Sequence, residues 1–90
     1  MKSKFPFKNP DIVARNDQKE ALLFDPSSGN MLCINKTGTF IWELCDGTHT
    51  VEDIVEGITK KQEVDSKRAE EDCSAYLTEL EKAGFIGYKD

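Results

Sequence analysis

Apolar positions along this chain change period near residue 35. Before that point they fall in short runs bounded by turn residues, and after it they recur every three or four positions up to Ala83. Asp11–Asn16 and Glu20–Asp25 are two short runs with β-branched or aromatic content, separated by the polar Asp17, Gln18 and Lys19, a pattern that predicts a hairpin. Pro26-Ser27-Ser28-Gly29 has turn chemistry, because proline presets one φ and glycine is free to take a positive one. It delivers the chain into Asn30–Asn35, a third short strand with apolar side chains on both faces. In a three-stranded meander the second strand is central, so the third keeps one side open and half its main-chain donors and acceptors unused. The missing partner of that edge is expected to be a peptide.

The second half reads as three helices. Asn35 is placed to cap Lys36–Cys45, where Phe40, Ile41, Leu44 and Cys45 share a face, and Asp46-Gly47 ends the helix. Thr50 caps the next, with Asp53 completing a capping box and Val51, Ile54, Val55 and Ile58 forming the apolar stripe. Gln62–Asp65 breaks the pattern. Asp65 or Ser66 then opens a third helix to Ala83, closed by Gly84, with Ala69, Cys73, Tyr76, Leu77 and Leu80 facing the core, and Phe85-Ile86 returns an apolar pair to it. The fold class predicted is α+β: a three-stranded antiparallel β-meander followed by three helices packed on one sheet face, with a winged-helix-like helical half. Residues 1–10 hold two prolines and three lysines around Phe5 and Phe7. They read as a flexible N-terminal arm outside the sheet, with both rings resting on its outer face. Residues 11–88 form the single domain.

Composition narrows the function. Ninety residues build one core but not a second one with a cleft between them. With 12 basic against 17 acidic residues, a formal charge of −5, the chain repels phosphate backbones, so nucleic acid is not an expected partner. No apolar run approaches the roughly 20 residues of a membrane span, and Met1-Lys2-Ser3-Lys4-Phe5-Pro6 lacks the apolar segment of a secretion signal; no membrane partner and a cytoplasmic location are expected. Cys33, Cys45 and Cys73 are widely spaced among apolar neighbours, which predicts three buried, reduced thiols and no metal site. His49 stands alone in a Gly-Thr-His-Thr turn, Trp42 reads as core or core edge, and no nucleophile–base pair or phosphate loop is visible. The expectation is a protein that is not an enzyme and holds no cofactor.

Order and spacing then carry a resemblance. The apolar Leu22-Leu23-Phe24, a strand ending in Ile34-Asn35, Gly38 followed by Ile41-Trp42-Glu43-Leu44, Asp46-Gly47, Thr50-Val51 with Ile54, and Asp72 ahead of Tyr76-Leu77 resemble the PqqD family over about residues 11–86. Ile34 stands where that family usually has leucine, and Cys73 where an aliphatic residue is common. The resemblance implies a recognition element of ribosomal-peptide modification pathways. Such a domain takes a leader peptide as an extra strand beside the third strand, over a groove walled by the third helix, and presents it to a separate modifying enzyme, here a radical-SAM enzyme.

Strand addition supplies affinity through the main chain and choice through side-chain pockets. The site residues expected are Met31, Leu32, Cys33 and Ile34 on the strand and Arg68, Asp72, Cys73, Tyr76 and Glu79 on the helix. Helical spacing leaves open whether the flank of Arg68, Asp72, Ala75, Tyr76 and Glu79 or that of Glu70, Ser74, Thr78 and Glu81 faces the strand; Tyr76, an apolar ring with a polar tip, favours the first. An open edge also pairs with its own copy, so a monomer or an edge-paired dimer is expected. A second function class remains: Leu77–Ile86 resembles the recognition helix and first wing strand of winged-helix DNA-binding regulators. From Asp65 to Ala83, however, six acidic residues face three basic ones, the reverse of what a major groove requires.

Overall fold

The protein is described here by a computed structural model covering residues 4–16 and 20–89. Its elements in order are β1 (Phe5–Lys8), β2 (Val13–Asn16), β3 (Ala21–Phe24), β4 (Met31–Ile34), α1 (Lys36–Leu44), α2 (Val51–Gln62), α3 (Ser66–Lys82) and β5 (Ile86–Lys89). The predicted meander is present: β2, β3 and β4 form an antiparallel sheet in that order, with Leu22 opposite Cys33 and Leu23 opposite Leu32. The connection at residues 17–19 lies outside the described residues.

Local chemistry starts each helix where the sequence indicated. The Asn35 carboxamide accepts a hydrogen bond from the Gly38 amide at 3.0 Å, satisfying one of the first-turn donors of α1. Thr50 and Asp53 close a reciprocal capping box on α2, and Asp65 accepts from the Arg68 amide on α3. Gly84, at φ +80°, follows the Ala83 cap of α3 and takes the left-handed turn that a side chain resists.

The three helices cover one face of the meander. Ala21 and Leu23 of β3 and Ile34 of β4 meet Ile41, Trp42, Ile54, Ile58, Cys73, Leu77 and Leu80 in one core, which Phe85 and Ile86 complete. The other face is open: Val13 and Met31 are exposed there, beside half-buried Leu22 and Phe24.

The amino-terminal stretch departs from its expectation. Phe5–Lys8 is a strand, paired antiparallel with β5 as a second, two-stranded sheet. Pro6 is fully buried and its carbonyl accepts from the Gly47 amide, while the Lys8 amide donates to Cys45 and the Asn9 amide to Phe85. Proline is tolerated because position 6, like Lys8, is turned away from β5 and towards the bridge at Asp46, so the β1–β5 ladder needs no donor from it. The Phe7 ring lies over Gly87 and not on the outer face of the meander. Ile86 therefore pairs with the amino-terminal strand, where a wing hairpin would have it pair with a strand following it.

Candidate functional site

Among the described residues β4 is the edge of its sheet, paired with β3 alone. Which of its main-chain groups are free follows from the turn. The Asp25 amide donates to the Asn30 carbonyl at 2.9 Å, so these opposite residues form a hydrogen-bonded pair. Such pairs alternate along an antiparallel ladder. Leu32 and Ile34 therefore bond to β3, and the N–H and C=O groups of Met31 and Cys33 point out of the edge. Two donors and two acceptors stand ready for another strand.

A groove of about 1170 Å³ runs between this edge and α3, with Asn30, Met31, Leu32 and Cys33 on one side. The helix contributes Glu70, Glu71, Ser74, Ala75, Tyr76, Thr78, Glu79, Lys82 and Ala83. Of the residues expected at the site, Met31, Leu32, Cys33, Tyr76 and Glu79 come together here. Ile34 and Cys73 belong to the core, at 1% and 0% exposure, and line no part of the groove. Arg68 and Asp72 lie towards the start of α3 and face each other at 3.9 Å, outside the groove.

Both candidate flanks of α3 supply the wall. Ala75, Tyr76 and Glu79 come from one and Glu70, Ser74 and Thr78 from the other, while Glu71 and Lys82 belong to neither. Glu71, Lys82 and Ala83 are expected on neither flank, because a helix face that carries charges beside a buried stripe reads as solvated in any sequence.

Tyr76 does more than line the wall. Its hydroxyl donates to the Asn35 Oδ1 at 2.6 Å, the atom that also caps α1, so one carboxamide ties together the end of β4, the start of α1 and the middle of α3. The ring lies so close to Gly38 that a Cβ there would stand 2.6 Å from Tyr76 Cε1 and 2.9 Å from Ile34 Cβ. The absence of a side chain at position 38 is what lets the Tyr76 ring of α3 lie against α1, beside the end of β4.

Cys33 corrects the expectation of three buried thiols. Apolar side chains on both faces of β4 left its direction open, and the structure turns Cys33 with Met31 to the outer face, where its Sγ donates to the Glu20 Oε2 at 3.4 Å. That hydrogen bond raises its pKa. Cys45 and Cys73 are buried as expected, and burial pushes both thiols up to about 12. Trp42 is in the core and His49 is a turn residue, with Nδ1 3.0 Å from Asp46. Among the described residues no three His, Cys, Asp or Glu side chains are placed to hold a metal, and no helix is long and apolar enough to cross a membrane.

Comparison with known proteins bears on this edge. Residues 20–86 match the sequence model of the family described as coenzyme PQQ synthesis protein D (PqqD). No curated protein matches the chain. Among solved structures it is similar to TbiB1 in complex with the TbiA(beta) leader peptide, at 25% identity and a TM-score of 0.80, over 93% of this chain and 99% of that one. It is equally similar to lasso peptide synthetase B1 complexed with the leader peptide, again at 25% identity and 0.80, over 92% and 98% of the two chains.

Proposed function

The chain belongs to the PqqD family, and on that premise we propose that it binds the leader region of a ribosomally made precursor peptide as a fourth strand on β4, and holds it for a separate modifying enzyme. The observation that carries this reading is the free main-chain edge at Met31 and Cys33 beside the α3 groove. The solved relatives hold leader peptides, which supports it.

On this reading the protein performs no chemistry and uses no cofactor. It raises the effective concentration of the precursor at the enzyme, which the family resemblance points to as a radical-SAM enzyme. The cytoplasm, where ribosomes release such precursors, is its place of action. A second copy would compete with the peptide for the same edge. A DNA-binding role is not favoured, since the exposed wall of α3 carries Glu70, Glu71 and Glu79.

The test is a titration of the isotopically labelled protein with synthetic leader peptides, beginning with those held by the similar solved structures. Amide shifts should centre on Met31–Ile34 and on α3. Tyr76→Ala should weaken binding by about 1–3 kcal/mol, as removal of an aromatic anchor does. Shifts confined to Lys60–Lys67, with β4 silent, would sink the proposal; so would an enzyme that modifies its precursor equally fast without this protein.

A further inference from the structure

The groove carries a charge pattern that its shape does not require. Among the described residues, Glu70, Glu71 and Glu79 line it against a single cation, Lys82. Among the described residues none of the three glutamates has an ion-pair partner; the pairs present are His49 with Asp46, Lys60 with Glu56, and Arg68 with Asp72. Unpaired carboxylates of like sign repel one another along one wall, and a cationic occupant relieves that repulsion.

Spacing makes the pattern specific. Glu71, Ala75 and Glu79 stand at successive one-turn positions, so the two carboxylates are separated by about 12 Å of helix rise with a small side chain midway. Along an added strand, residues i and i+4 point to the same face about 13 Å apart, and residue i+2 points there between them. Leu32, half-buried on the inner face of β4, meets that central residue from the other side of the groove.

We infer that the peptide segment this groove takes has the inward-facing pattern basic-x-apolar-x-basic, its cations facing Glu71 and Glu79 and its apolar residue seated over Ala75 and Leu32. The inference rests on the strand-addition reading and adds the chemistry of the ligand to it. Both glutamates are exposed, so the pairs act chiefly on selection and on capture at low ionic strength.

Three blocked nonapeptides test it: Ser-Thr-Lys-Thr-Val-Thr-Lys-Thr-Ser carrying an amino-terminal dye, and the same sequence with both lysines replaced by glutamine or by glutamate. Binding is followed by fluorescence anisotropy at low salt and at about 0.5 M salt, and by amide shifts. The lysine peptide should bind about tenfold more tightly than the glutamate peptide at low salt, with glutamine between, and salt should close the gap. In the E71Q/E79Q protein the ratio should fall towards one. Equal affinities with β4 shifts intact, or preference for the glutamate peptide, overturn the charge inference and leave strand addition standing. Loss of β4 shifts for all three peptides overturns strand addition, and this inference with it.

Discussion

Burial divides the three thiols into two kinds, and the division is measurable. Cys45 and Cys73 are fully buried, Cys45 with its Sγ 3.2 Å from the Ile41 carbonyl, whereas Cys33 is exposed on β4. A disulfide reagent should therefore titrate one thiol rapidly in the native protein and the other two only on unfolding; rapid reaction of all three would contradict the packing around α1 and α3. The pH consequence follows from the direction of the shifts. Folded thiols pushed up to about 12, against 9.0 in the reference state, stay neutral where unfolded ones ionise. Their contribution to stability is therefore complete below pH 9 and is lost as pH rises from there towards about 12. Urea midpoints measured across that range should fall, and the fall should be smaller in Cys73→Ala.

At the scale of the element, β4 is held on one side and free on the other, and the alternation of its hydrogen bonds says which substitution separates binding from folding. The Cys33 amide points out of the sheet, so Cys33→Pro removes a donor that β3 does not use. Circular dichroism of this variant should show native helix content while the leader peptide no longer binds. Leu32→Pro, which breaks the ladder to β3, should unfold the domain, and Cys33→Ser should bind nearly as well as the parent. Undiminished binding by folded Cys33→Pro would mean that the peptide does not pair along β4. The opposite wall is held by the Tyr76 hydroxyl on Asn35, so the width of the groove depends on a cap residue of α1 as much as on α3 itself.

For the molecule as a whole, the amino-terminal strand belongs to the fold. Pro6 is buried, β1 pairs along its length with β5, and three main-chain hydrogen bonds tie it and Asn9 to Cys45, Gly47 and Phe85. Removing residues 1–9 should cost about 2–4 kcal/mol of stability, from lost apolar burial and exposed partners. A urea midpoint unchanged by the truncation would restore the flexible-arm expectation. The site lies on the other sheet, so a truncated protein that still folds should keep its β4 shifts with peptide.

Features governed by close neighbours along the chain can be read directly from the order of residues. Asn35, Thr50 and Asp65 sit within three residues of the amides they cap, and the Pro26–Gly29 turn adjoins the strands it joins, so helix starts, strand order and the open edge were legible from spacing alone. The family resemblance had the same source, since it rests on the order of such local features. Other properties depend on residues far apart. Phe5–Lys8 becomes a strand only because Ile86–Lys89 lies beside it, nearly the whole chain away. Cys33 faces outward because Ile34 and Leu32 take the inner face, a choice that a strand apolar on both sides leaves to the helices packed against it. Period alone locates the buried stripe of α3, but its rotation and height against β4, and hence which of its exposed residues become a groove wall, are set by the packing of Tyr76 over Gly38, a contact between two helices that no local rule specifies.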